Sequence, residues 1–147
     1  MFILLVDNNR FYISVLKEML HKAGFNRIGN VDNGLECVLE LFKGEIPDAI
    51  IIDESQCTVN NVDVIKNIRK FRSDLTVIIL TSSVAPVNVN RIYEKEYTHF
   101  ISKDSISADN LPKVLYDFFV EKQSYPKKSS VLKVFASFKR SFAGLMT

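Results

Sequence analysis

The stretch PDAIIIDESQCTVNNVD (residues 47–63) decides the fold. Pro47-Asp48 breaks the chain, Ile50, Ile51 and Ile52 run straight into Asp53, and a polar loop with Asn60 and Asn61 follows. An apolar run this short and this rich in branched residues reads as a strand. It lacks polar alternation, so both of its faces are covered, as in a parallel sheet. A carboxylate at the mouth of such a strand is a nucleophile, a metal ligand or a loop residue. The rest of the chain has to choose among these.

The same pattern recurs on either side. Phe2–Val6 (FILLV) and Thr76–Leu80 (TVIIL) read as further strands, with Arg27–Val31 a weaker one and His99–Ile101 a short one. Between them lie helical periods. Asp7-Asn8-Asn9 supplies N-cap chemistry for a helix with Phe11, Val15, Leu16, Met19 and Leu20 as its apolar positions, ended by Gly24. Asn33-Gly34 opens a helix with Leu35, Val38, Leu39 and Phe42 on one face. Val62, Ile65, Ile68 and Phe71 give the next period, and further helices are expected over about 87–96 and 110–122. Five strands alternating with five helices predict an α/β, doubly wound parallel sheet. Ligands of such sheets bind at the carboxyl ends of the strands.

The length of 147 residues suits one domain, and 47% apolar composition excludes a disordered chain. No stretch approaches the ~20 apolar residues of a membrane span, and the start lacks a signal peptide's pattern, so a cytoplasmic location is expected. Cys37 and Cys57 lack metal-site spacing and read as two reduced thiols. The net charge of +2 conceals an asymmetry, because all 17 Asp and Glu precede residue 124. Lys127, Lys128, Lys133, Lys139 and Arg140 follow it, and Ser124-Tyr125-Pro126 marks the break. The chain therefore divides into 1–123 and a basic tail, 124–147.

Reading off the strand ends gives Asp7 and Asn8, then Asp53, Thr81 and Lys103, all on one edge of a parallel sheet. Two carboxylates and an amide oxygen form a hard, oxygen-rich set suited to Mg²⁺. A lysine and a threonine hydroxyl beside them would stabilise a phosphoryl group in transfer, with Asp53 as nucleophile forming an acyl phosphate. No single one of these residues is informative. As an ordered set on four strand ends they are.

FILLVDNN, PDAIIIDES, VIILTSS and HFISK, in that order and spacing, resemble a response regulator receiver domain, the phosphoacceptor module of two-component signalling. The resemblance covers residues 2 to about 120 and implies a flavodoxin-like five-stranded sheet with five helices, to which the tail adds one more. It implies that Asp53 accepts phosphate from a histidine kinase or phosphotransfer protein, and that Asp7, Asp53 and the Ser55 backbone carbonyl hold Mg²⁺. Thr81 and Lys103 would contact the phosphoryl group, and Phe100 would be the aromatic that turns inward with Thr81 on activation.

Several departures fall on the site. The family shows two acids after the first strand, whereas here Asn8 takes the second place. It coordinates through its amide oxygen with one less negative charge, which weakens Mg²⁺ binding, or it serves as a helix cap. Gln56-Cys57 and Asn60-Asn61 replace Met-Pro and Asp-Gly. Asn61 can occupy the positive-φ position of the glycine, while losing proline at 57 leaves the loop less constrained. Asp104 replaces the proline that follows the lysine across a cis bond. A trans bond, or a cis bond held by its surroundings, is expected, and either could displace Lys103 from Asp53. Glu96-Tyr97 stands where Gly-Ala is usual.

In the tail, Val131, Phe135, Phe138, Phe142 and Leu145 share one helical face and Lys133 and Arg140 the other. Three phenylalanines on one stripe imply burial. The stripe packs on its own domain or a second copy, enters a partner's groove, or lies on an anionic membrane surface. A tail of about 24 residues is too short for a helix-turn-helix domain, so output through protein contacts rather than DNA is expected. Two readings compete with a phosphorylated single-domain regulator. One is a phosphorylation-independent pseudo-receiver scaffold. The other is a hydrolase or phosphatase using Asp53 directly, which would need a second Asp where Ser55 stands and a His or Cys at the edge.

Overall fold

A computed structural model describes residues 1–82, 97–113 and 115–117. The chain falls into two compact units, 1–112 and 113–147. Of the second, only residues 113 and 115–117 are described, in helical conformation. The expected helix over 87–96 and the tail with Phe135, Phe138 and Phe142 lie outside the described residues.

The first unit runs β1 (Phe2–Val6), α1 (Arg10–Lys22), β2 (Arg27–Val31), α2 (Gly34–Phe42), β3 (Ala49–Asp53), β4 (Thr58–Val59), β5 (Val62–Asp63), α3 (Val64–Phe71), β6 (Thr76–Thr81) and β7 (Thr98–Ser102). The main sheet is parallel throughout, in the order β2-β1-β3-β6-β7. β4 and β5 form a separate antiparallel hairpin. Setting the hairpin aside, the strand order is flavodoxin-like, with its switch point between β1 and β3.

Continuous apolar strands are explained by a sheet covered on both faces. Leu4, Val6, Ile50, Ile52, Val77 and Ile79 face a cluster with Cys37 and Leu41 of α2 and Val64, Ile65 and Ile68 of α3. The alternating residues Ile3, Leu5, Ile51 and Ile78 are equally buried on the other face.

The helices correct parts of the sequence reading. α1 buries Ile13, Leu16 and Leu20, while Phe11 is 79% exposed. The cap explains this: Asn9 accepts a hydrogen bond from the Tyr12 N–H at 3.1 Å, so Phe11 falls in the first turn, outside the buried stripe. Asn8 is therefore not the helix cap. α1 ends in a Schellman motif, with Gly24 at φ 95°, Gly24 N–H on His21 O and Phe25 N–H on Leu20 O. α2 buries Gly34, Cys37 and Leu41, and leaves Leu39 and Phe42 exposed. The rings of Phe42 and Phe71 meet edge-to-face at 5.3 Å, so two exposed side chains at the helix ends shield each other.

The largest addition concerns the loop after Asp53, which forms a hairpin that the sequence reading did not anticipate. Thr58-Val59 and Val62-Asp63 pair across Asn60 and Asn61, both with positive φ (50° and 62°). Two left-handed residues in a two-residue loop match the twist of a hairpin, and asparagine tolerates that region. Val62 thus belongs to β5, and α3 starts at Val64 with Asp63 accepting from the Lys66 N–H at 3.0 Å. Gly34 packs against this segment. A Cβ there would collide with the main-chain oxygen of Gln56 and come within 2.5 Å of Val64 Cγ2. Both cysteines are free and buried, and burial pushes their thiols up to about 12.

Candidate functional site at the carboxyl edge of the sheet

The parallel register sets the strand ends side by side. Val6 lies opposite Ile52, Asp53 opposite Leu80, and Thr81 opposite Ser102. The next residues along, Asp7 and Lys103, therefore emerge on the same edge as Asp53 and Thr81. Asp7 and Thr81 are buried, Asp53 and Lys103 are partly buried, and Asn8 and Ser55 are exposed.

Lys103 joins the two carboxylates. Its Nζ lies 2.6 Å from Asp53 Oδ1 and 3.3 Å from Asp7 Oδ2. The remaining oxygens are also engaged. Asp7 Oδ1 accepts from the Asn9 N–H at 2.9 Å, and Asp53 Oδ2 accepts from the Ser55 N–H at 3.0 Å and from the Ser55 hydroxyl. Burial works against the Asp53 charge, but the bonds from Lys103 and Ser55 outweigh it and hold the carboxyl below its ordinary range. Burial likewise opposes the Lys103 charge, and Asp53 and Asp7 together hold the ammonium above its ordinary value. Asp53 and Lys103 are thus both ionised at neutral pH.

The displacement of Lys103 that the loss of the proline could have caused is not seen. No cis peptide bond exists among the described residues, so Lys103–Asp104 is trans. Residues Lys103–Ser105 form a 3₁₀ turn capped by Ser102, whose hydroxyl accepts from the Asp104 N–H at 3.3 Å. The four-carbon lysine stem spans the gap to Asp53 from that turn. Phe100 lies in β7 opposite Ile79, partly buried against the core cluster beneath α2 and α3. Tyr97 stands at φ 72°, a strained conformation for an aromatic residue, and its carbonyl accepts from the Val77 N–H at 2.8 Å.

Two contributions were missed by sequence reasoning. The Ser55 hydroxyl touches Asp53 directly, where only its carbonyl had been considered. Tyr12 turns its ring to Lys103, with Nζ 4.3 Å from the centroid. Tyr12 is three residues past the Asn9 cap, and helical side chains lean towards the N-terminus, so this position aims back at the sheet edge. The cysteine that a hydrolase reading would need does lie near this edge, with Cys57 Sγ 3.8 Å from the Asp53 carbonyl oxygen. Its thiol, pushed up to about 12 mainly by burial, is a poor nucleophile.

Among the described residues, no group of three or more His, Cys, Asp or Glu side chains is gathered to hold a metal. The oxygen-bearing side chains gathered at this edge are the Asp7 and Asp53 carboxylates, with Asn8 following Asp7 in the chain. Such an all-oxygen set with few carboxylates suits a hard divalent cation that keeps several waters, and excludes a zinc-type site.

The family model of the response regulator receiver domain matches residues 3–116. The chain belongs to this family. It is a receiver domain of two-component signalling, a signalling module whose members interact with histidine kinases or phosphotransfer proteins. The receiver is 32% identical over 80 residues to the chemotaxis protein CheY of Thermotoga maritima, covering 54% of this chain and 66% of that protein. It is 26% identical over 139 residues to the sensory/regulatory protein RpfC of Xanthomonas campestris, covering 92% of this chain but 19% of that protein. The chain thus spans less than two thirds of either relative. A solved Pseudomonas aeruginosa sensor histidine kinase receiver domain, with magnesium coordinated in its active site cleft, superposes with a TM-score of 0.62 at 22% identity. That match covers 79% of this chain and 94% of that one. Among the described residues, no helix is long and apolar enough to cross a membrane.

Proposed function

We propose that this receiver is phosphorylated on Asp53 by a histidine kinase or phosphotransfer protein and passes the signal on through protein contacts. The observation that carries this reading is the Lys103 ammonium 2.6 Å from Asp53 Oδ1, despite the loss of the proline after the lysine. A carboxylate kept ionised and a fixed cation beside it are what in-line attack on a phosphoryl group needs. One Asp53 oxygen attacks phosphorus as the bond to the donor's histidine nitrogen, or to a small donor's leaving group, breaks. The product is an acyl phosphate. Lys103 moves from neutralising Asp53 to neutralising the phosphoryl oxygens, and the Thr81 hydroxyl donates a hydrogen bond to one of them. Phe100, in the strand beside Thr81, would follow that hydroxyl inward.

Asp7, Asn8, Asp53 and the Ser55 carbonyl would hold Mg²⁺, which supplies charge neutralisation of the phosphoryl group when bound. Asn8 removes one negative charge, so the affinity is weak. Within this reading 1–123 is the receiver and 124–147 is an interaction segment. Its Phe135, Phe138 and Phe142 stripe meets its own domain, a second copy or a downstream protein, with an anionic membrane as a further surface. The competing reading is a pseudo-receiver that never takes phosphate. Incubating the protein with Mg²⁺ and phosphoramidate, then weighing it intact, separates the two. One added phosphoryl group, absent in Asp53→Asn, is expected. An unmodified wild-type protein would leave the scaffold reading.

A further inference from the structure

We propose that Tyr12 is a positioning residue for phosphoryl transfer: its ring is the surface on which the Lys103 ammonium is held between Asp53 and Asp7. This rests on Asp53 being the phosphoacceptor. Among the described residues the ammonium meets three groups, Asp53 Oδ1 at 2.6 Å, Asp7 Oδ2 at 3.3 Å and the Tyr12 ring centroid at 4.3 Å. A cation within about 6 Å of a ring face is attracted to it, more strongly where water is excluded. The Lys103 side chain is only 24% exposed, so the ring acts in such a place.

The need for this hold follows from the chain around the lysine. Lys103 leaves the sheet from a trans peptide into a short 3₁₀ turn, and Asp104 follows it with an opposing charge. Nothing in that turn fixes where a flexible four-carbon stem ends. Tyr12 does, because α1 is anchored at its first turn by the Asn9 cap, and Asn9 N–H is itself bonded to Asp7. The same short segment thus fixes both the acid and the ring that flank the ammonium.

The contribution belongs to the ring and not to the hydroxyl. The Tyr12 hydroxyl is buried and makes no hydrogen bond among the described residues. Removing an unpaired buried polar atom costs nothing in lost bonds. Tyr12→Phe therefore keeps the function, and an aliphatic residue of similar reach does not. Once a phosphoryl group is on Asp53, the ring keeps the ammonium at the carboxyl edge instead of following solvent.

The test uses the full chain labelled with ¹³C at the lysine ε-carbons, with Lys103→Met assigning the resonance. A cation on a ring face is displaced upfield by the ring current. The Lys103 ε-CH₂ protons should lie upfield of the other lysines in wild type and in Tyr12→Phe, and return among them in Tyr12→Leu. With phosphoramidate and Mg²⁺, Tyr12→Phe should react within about twofold of wild type and Tyr12→Leu about fivefold to tenfold more slowly. An undisplaced Lys103 signal in wild type overturns the proposal, and that measurement needs no variant to fold. So does a Tyr12→Leu protein that reacts at the wild-type rate. Absence of any adduct in wild type defeats the Asp53 reading instead, while the resonance still reports whether Tyr12 holds Lys103.

Discussion

Replacing the lysine, Lys103→Met, removes the charge that holds two carboxylates together. In the folded protein the ammonium lies 2.6 Å from Asp53 and 3.3 Å from Asp7, whose side chains are 12% and 5% exposed. The two attractions are about 5–6 kcal/mol each at an effective dielectric near 20, opposed by the cost of partly desolvating three ions. Removing one partner of a fully buried pair costs about 3–5 kcal/mol, and the partial exposure here lowers that to about 2 kcal/mol at neutral pH. The pH dependence is the sharper signature. Asp53 has a folded pKa held below its ordinary value, so its contribution is present above about 3.9 and is lost as pH falls through the folded value. Lys103, held above its ordinary value, contributes fully below about 10.4 and loses that only as pH rises through its folded value. In the variant, two adjacent carboxylates without a cation raise the pKa of one of them, so acid relieves the strain. Urea unfolding followed by far-ultraviolet circular dichroism should show the largest gap at pH 7 and a shrinking one towards pH 4. Millimolar Mg²⁺ should narrow it at pH 7, since a cation bound only by the folded form stabilises it. Equal midpoints at pH 7, or a gap that widens on acidification, would refute the electrostatic account.

Other perturbations probe the scaffold beneath the site. Gly34→Ala places a methyl group against the Gln56 carbonyl and Val64, so urea unfolding should show a loss of about 1–3 kcal/mol, with slower phosphorylation because Gln56 follows the Ser55 that binds Asp53. Asn61→Ala forces an alanine to φ 62° and should cost about 1 kcal/mol, whereas Asn61→Gly should be neutral in the same assay. Arg69→Met removes the 2.6 Å bond to Thr98 Oγ1 and the bond to the Leu75 carbonyl, which should cost about 2 kcal/mol and loosen the β6–β7 edge, seen as faster amide exchange in β7.

What could be read in the sequence, and what could not, divides along physical lines. β1, β3 and β6 were legible because their apolar runs are nearly unbroken, β2 and β7 more faintly because polar residues interrupt them, and the strand ends gave Asp7, Asp53, Thr81 and Lys103 together. Helix faces were read less well. Leu16, Leu20 and Val38 lie on the buried side as expected, but Phe11, Leu39 and Phe42 are apolar yet exposed, so counting apolar residues placed the stripe only in part, and the cap position helps to set the phase. The hairpin at Thr58–Asp63 was hidden because strands of two residues carry no periodicity, although Asn60-Asn61 between branched residues was its signal. Lys103 stayed on target without its proline for a reason that spacing cannot show: its hold comes from Asp7, Asp53 and Tyr12, brought from distant parts of the chain.

The central claim is that Asp53 forms an acyl phosphate, and chemical trapping tests it most directly. The protein is treated with phosphoramidate and Mg²⁺, reduced with borohydride, and digested for peptide mass mapping. Reduction converts an acyl phosphate to an alcohol while leaving a free carboxylate untouched. The account predicts the alcohol at position 53 alone, dependent on both reagents and lost in Lys103→Met. An unreduced Asp53, or an alcohol at another acid, would contradict it.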